Sequence, residues 1–217
     1  MINATNDSKH RELVPSGTHL ARCFSMVQIG TILEETKFGK KKQSKVRITW
    51  ELPLEKRVFD PEKGEQPMVI SKEYTLSMYE KANLRKELEG WRGLAFKEEE
   101  AKSFDITKLL GVPCILSIIH DTQESSGKKF AKINSVSGLP KGTTCPDQIN
   151  PNFEFNFQDK FDLSVLESMP DFIKNKIKIS DEYKAITNPQ EQDLTHEEAF
   201  SNNPNNNDYD PTNDLPF

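Results

Sequence analysis

The cleanest alternation of apolar and polar positions in this chain runs from Lys45 to Leu52. Val46, Ile48, Trp50 and Leu52 fall on one face, and Lys45, Arg47, Thr49 and Glu51 on the other. That alternation predicts a strand with one face in a core. Trp50 shares the phase of Val46 and Ile48, so it is expected inside, and Pro53 is expected to end the strand. A first strand is expected over Thr18 to about Gly30, long and imperfectly alternating, followed by a polar, Lys-rich loop from Glu34 to Ser44. A turn-rich loop over Asp60 to Pro67 leads to a third strand, Val69 to Leu76. Tyr79 to Gly90 reads as a helix, with Leu84 and Leu88 one turn apart and Gly90 as its stop. Glu98 to Leu110 is a second helical piece. Pro113 to His120 is a near-continuous apolar run, expected as a buried strand, and Lys128 to Val136 is a fifth strand after the loop Asp121 to Gly127.

Three strands, a helical insertion and two strands predict a mainly β fold. The expected form is a five-stranded OB-fold, a Greek-key barrel with its helical insertion between strands three and four. Pro140-Lys141-Gly142 closes that domain, which spans Val14 to Lys141 after a polar N-terminus, residues 1–13. Residues 142–180 are an extension. In it Phe153, Phe155 and Phe157 alternate with polar residues and are expected to lie on the barrel, base stacking being the minority reading. Ser164 to Lys178 reads as helix interrupted by Pro170, with Leu166, Phe172, Ile173 and Ile177 packing down. Residues 181–217 read as a disordered acidic tail.

Charge sharpens this division. The total is −5 over 217 residues, but from Asp181 onward nine acids face Lys184 alone, a net −8, which leaves +3 for residues 1–180. A mildly basic body with an acidic arm suits a nucleic-acid binder that also docks proteins. It also suits an ordinary soluble domain. Cys23, Cys114 and Cys145 are odd in number and far apart, which argues for a reducing compartment, the cytoplasm, and against a disulfide scaffold. The four histidines have no metal-ligand spacing, and no segment is long and apolar enough to span a membrane. No phosphate-binding glycine loop, nucleophile elbow or zinc-protease motif occurs, so no enzyme activity and no cofactor are expected. A nuclease site built from Asp105, Asp121 and Glu124 is the weakest alternative.

The chain ends on Asp208-Tyr209-Asp210-Pro211-Thr212-Asn213-Asp214-Leu215-Pro216-Phe217. An acidic leash with an apolar tip has the character of a docking peptide: charge steers it and Phe217 fills a pocket. This ending resembles the acidic tip of bacterial and phage single-stranded DNA-binding proteins, the matching positions being Asp208, Asp210, Asp214, Leu215, Pro216 and Phe217. It departs from them in its Asn-rich spacing and thinner run of acids. The resemblance implies a tip that recruits replication and repair enzymes, and an OB-fold body. The body is also similar to OB-type proteins encoded by phage replication modules, in Val14-Pro15-Ser16-Gly17-Thr18, Ile48-Thr49-Trp50-Glu51-Leu52-Pro53, Ser71-Lys72-Glu73-Tyr74-Thr75-Leu76, and Asn83-Leu84-Arg85 through Trp91-Arg92-Gly93. Those stretches support membership without assigning binding residues.

Binding single strands requires cations along the phosphates and aromatic faces for the bases. In OB-folds the ligand crosses strands two and three between the first and last hairpin loops. The candidates are therefore Phe38, Lys40, Lys41, Lys42 and Lys45 of the first loop, Arg47 on strand two, and Lys72 with Tyr74 on strand three. On strand five they are Lys128, Phe130 and Lys132, a ring between two in-phase lysines. Trp91 and Arg92 are further candidates, though Trp91 between glycines also reads as a plug for the barrel end, and Arg92 and Arg85 as surface cations. The expected partners are single-stranded DNA and replication or recombination enzymes docking on the tip, with no membrane; a homo-oligomer stays open. Two other readings compete: a tail-mediated adaptor or inhibitor of a host replication enzyme, and a recombination mediator or annealing protein.

Overall fold

The computed structural model describes residues 12–36, 39–159 and 161–188. Its centre is β1 (Gly17–Thr36), which pairs with two strands in succession. Residues 17–22 run antiparallel to β4 (Pro113–Thr122), and residues 22–36 antiparallel to β2 (Gly39–Asp60). With β3 (Gly64–Thr75) beside β2 and β5 (Lys129–Ser137) beside β4, the order is β3-β2-β1-β4-β5. The sheet curls into an antiparallel half-barrel. Its outer strands approach without a backbone ladder, and Lys72 Nζ of β3 lies 3.4 Å from the Ile133 carbonyl of β5.

Two cores explain the imperfect alternation of β1. Ala21, Cys23 and Met26 face the barrel interior, while Val27, Ile29 and Ile32 face a second cluster outside it. Register shifts at Cys23/Ser25 and Gln28/Gly30 change which parity points inward. The β2 face expected from the alternation is the interior one: Val46, Ile48, Trp50 and Leu52 are all buried. Each such side chain stabilises the fold by roughly 1.5–3 kcal/mol.

α1 (Asn83–Arg92) closes the barrel, burying Leu84, Leu88 and Trp91. The Trp91 ring lies 6.0 Å from that of Trp50, and its Nε1 donates to the Pro113 carbonyl at 2.9 Å. The helix stops at Gly93, in the left-handed region, and not at Gly90. Gly90 instead allows close packing, since a Cβ there would meet the Val136 carbonyl at 2.9 Å.

Several boundaries differ from expectation. Lys40 to Ser44 is strand, because β1 and β2 continue as a paired arm through Glu35↔Lys40. Pro53 does not end β2; it sits in an irregularity between Leu52 and Lys56, where a missing donor costs no ladder bond, and pairing resumes to Asp60. The second helical piece divides into α2 (Glu98–Lys102) and a single 3-10 turn, Ile106–Leu109, capped by Asp105. Arg85 is buried, donating to the Met78 and Phe96 carbonyls, and is not a surface cation.

The extension is built onto the sheet. β6 (Phe153–Phe155) pairs in parallel with Ser25–Val27, and α3 (Leu163–Ser168), α4 (Asp171–Lys178) and α5 (Asp181–Thr187) follow. Phe155, Leu166 and Ile177 enter the second core, with Phe153 and Phe157 packed against it. The tail expected from Asp181 therefore begins with a helix. Gly30 makes room for it: a Cβ there would come within 2.7 Å of Ser180 and Glu182. The Glu182 carboxylate accepts from the Thr31 amide and hydroxyl.

A cross-strand pair holds the approach to this extension. Arg22 and Glu51 are neighbours on β1 and β2. The Arg22 guanidinium donates to the carbonyls of Gly111, Cys145 and Pro146. The fully buried Glu51 carboxylate accepts from Ile149 N, Asn150 N and Asn150 Nδ2 at 2.6–2.8 Å. The alternation of β2 assigns Glu51 to the solvent face; the extension is what buries it.

Candidate nucleic-acid interface

The candidate residues lie in three environments. The first is the interior. Tyr74 is buried in phase with Ile70 and Met68, and its hydroxyl donates to Glu87. Burial first, then the Glu87 carboxylate, push its phenol far above the ordinary value. Lys72 shares that inner face, forms an ion pair with Glu87 and lies 5.2 Å from the Tyr74 ring. The outward residues of β3 are Ser71, Glu73 and Thr75, partners of Thr49, Arg47 and Lys45. Lys72 and Tyr74 thus share one face, as expected, but it is the inner face and not one open to a ligand. Trp91 is inside as the plug, and Arg92 is half-buried over Phe96 and Phe104 with its Nη2 2.6 Å from Glu100. Tyr74, Trp91 and Arg92 therefore present no free ring or cation to a ligand.

The second environment is the exterior of β2 and β3. Its cations are engaged. Lys42 pairs with Asp181 at 2.7 Å, Lys45 with Glu34 at 2.6 Å, and Arg47 with Glu73 at 3.1 Å. α4 lies over the last pair: the Phe172 ring centroid is 5.1 Å from the Arg47 guanidinium carbon, and Lys176 Nζ is 2.7 Å from Glu73. Phe172, expected to pack down, is 54% exposed. On the arm beyond, Lys40 and Lys41 are exposed and form no ion pair among the described residues. Phe38 lies outside the described residues.

The third environment is the exterior of β4 and β5, and it is open. Phe130 is 40% exposed opposite Asp121, with Ile119 opposite Lys132 on the same face. Lys132 is 3.2 Å from Asp121. Lys128 is exposed and makes no ion pair among the described residues; the same holds for Lys129, which is in phase with Ala131 and Ile133 on the other face of β5. Lys129 is absent from the candidates drawn from sequence, although its place in the Gly127-Lys128-Lys129-Phe130 run was the available signal. The two basic hairpins do not meet through any pairing among the described residues; they extend from opposite ends of β1.

Elsewhere a cleft of about 930 Å3 is lined by Glu98, Asp105, Glu154 and Asp159 against Lys102, the wrong sign for phosphate. Asp105 caps the 3-10 turn and Asp121 serves Lys132. Among the described residues no three His, Cys, Asp or Glu side chains group to hold a metal, and no helix is long and apolar enough to cross a membrane. Burial raises the Cys23 thiol to about 12, outweighing a backbone hydrogen bond from Ser25, so it stays protonated. The tip residues Asp208, Asp210, Asp214, Leu215, Pro216 and Phe217 lie outside the described residues. No family model, curated protein or solved structure matches this chain.

Proposed function

We propose that this chain binds single-stranded DNA without strong sequence preference, and that its acidic C-terminal tip recruits replication or recombination enzymes. The observation that carries the reading is the β4–β5 hairpin. It offers Phe130 to solvent next to Lys128, with Lys129 exposed on the other face of the strand, and neither lysine has an ion-pair partner among the described residues. Base stacking and phosphate contact require that pairing of ring and cation. The strand order, with α1 inserted between β3 and β4 and an open seam between β3 and β5, is compatible with an OB-type barrel. Lys40 and Lys41 form a separate positive arm at the other end of β1. The tip's role rests on its sequence.

A second reading is favoured by one observation: Lys42, Lys45, Arg47 and Lys72 already have carboxylate partners. A protein so neutralised would act as an adaptor through its tail alone. Fluorescence anisotropy of labelled oligo-dT at low and high salt, with duplex as competitor, separates the two. Salt-sensitive binding with little duplex competition is the expected result. Absence of binding by both the full chain and a form lacking residues 202–217 would leave the adaptor.

A further inference from the structure

Phe172 departs from the pattern of its helix. α4 sends Ile173 and Ile177 toward the second core. One position before each, Phe172 and Lys176 form a separate stripe, one turn apart. The place of Lys176 is explained by Glu73, on the exterior of β3. That of Phe172 is not explained by burial, since more than half of its surface is in solvent. Its ring is instead set over the Arg47 guanidinium, with the guanidinium carbon 5.1 Å from the ring centroid. Beside Arg47 and Glu73 on the sheet, Thr49 and Ser71 place their hydroxyl oxygens 3.0 Å apart.

Charge at this spot favours an anion. Arg47 and Lys176 together exceed Glu73 by one positive charge. Burial would raise the Glu73 carboxyl, but hydrogen bonds and charge from Lys176 and Arg47 outweigh it and hold the group below its ordinary value. An exposed ring steadied by a cation, a second cation one turn away and two neighbouring hydroxyls offer a stacking face, a phosphate contact and polar contacts together.

We infer that Phe172 is a stacking platform for an unpaired nucleobase, with Arg47 and Lys176 beside it for the phosphate, so that the C-terminal extension carries part of the nucleic-acid path. This rests on the single-strand reading above. It puts a contact on a helix that lies outside the half-barrel altogether.

The test is a cycle in which the ring and the bases are removed separately. Wild type and Phe172→Ala are titrated with oligo-dT and with an abasic oligomer of equal length. Phe172→Ala should bind oligo-dT about tenfold more weakly, equivalent to about 1.4 kcal/mol, and bind the abasic oligomer as wild type does. Oligo-U should show the same loss, because stacking reads the base face and not the sugar. Phe172→Trp should keep its affinity and add a fluorescence signal quenched by oligo-dT, the two native tryptophans being buried. If wild type binds oligo-dT and Phe172→Ala binds it equally, the platform is wrong while the single-strand reading stands. Equal losses on oligo-dT and abasic oligomer overturn the platform in favour of a structural role. No binding of oligo-dT by wild type overturns the single-strand reading itself.

Discussion

The exteriors of β2–β3 and of β4–β5 carry similar residues and present them differently. Both hold lysines beside a phenylalanine. On β2–β3 the chain itself supplies the counter-charges: Asp181 for Lys42, Glu34 for Lys45, Glu73 for Arg47. On β4–β5 Lys132 is answered by Asp121, whereas Lys128 and Lys129 have no carboxylate partner among the described residues. A cation's value to a ligand depends on what it must give up to bind. An ion pair already formed has to be exchanged, whereas a solvated lysine loses only counterions. The sheet supplies Glu34 and Glu73, the extension adds Asp181 and lays α4 over Arg47 and Glu73, and Arg22 and Glu51 hold residues 145–150 at the start of that extension.

The largest expected effect therefore comes from Glu51. Glu51→Ala removes the buried carboxylate that accepts from the Ile149 and Asn150 amides and the Asn150 side chain, and hydrogen bonds to a charged group contribute about 1.5–3 kcal/mol each. A loss of about 3 kcal/mol or more is expected in urea unfolding, with tryptic cleavage at Lys174 to Lys184 accelerated. A variant that melts like wild type would show that the second core alone holds the extension down.

Next in size is a contrast of rings. Phe130→Ala should weaken oligo-dT binding by roughly 1–3 kcal/mol and change stability by less than about 0.5 kcal/mol, as an exposed site does. Tyr74→Phe should do the reverse: it removes the hydrogen bond to Glu87 in the interior and leaves binding unchanged. Equal binding losses in the two variants would remove the distinction between interior and exterior. Salt titration sharpens it further. Replacing Lys128 and Lys129 by Gln should flatten the dependence of log K on log salt by about 0.7 for each phosphate that is no longer neutralised. The same change at Lys42 and Lys45 should flatten it less.

What the sequence made legible follows from this comparison. Period-two alternation located β2 and its buried face, and Trp50 was correctly phased, because a half-buried strand writes its environment in its own residues. The helix between β3 and β4 and the apolar run of β4 were also readable. The phase of β3 was not. Val69-Ile70-Ser71-Lys72-Glu73-Tyr74 reads equally well either way, and the inward Lys72 becomes tolerable only because Glu87 on α1 meets it. Burial of Glu51, pairing of Lys42 and exposure of Phe172 depend on segments about 100 residues or more distant. No local pattern encodes them. For the candidate site the residue types were legible at Lys128 and Phe130, while the occupancy of each cation by a partner was decided by tertiary structure.

The smallest effect compares two carboxylates, one on each exterior. Glu73 is held below its ordinary value because Lys176 and Arg47 outweigh burial, and Asp121 because of its Thr122 backbone hydrogen bond and Lys132. Both depressions have the same sign. A carboxylate stabilised in the folded state contributes stability above its unfolded value, near about 4, and loses it as pH falls through the lower folded value. Glu73 is half-buried beneath α4, whereas Asp121 faces solvent, so added salt should screen the Asp121 contribution and spare most of that of Glu73. Urea unfolding of wild type, Glu73→Gln and Asp121→Asn across the acid range, at low and high salt, reads the difference. In high salt the Asp121→Asn profile should merge with wild type, while Glu73→Gln should stay less stable at neutral pH and converge on wild type only in acid. Merging of both profiles in high salt would mean that α4 shields β2–β3 no better than solvent shields β4–β5.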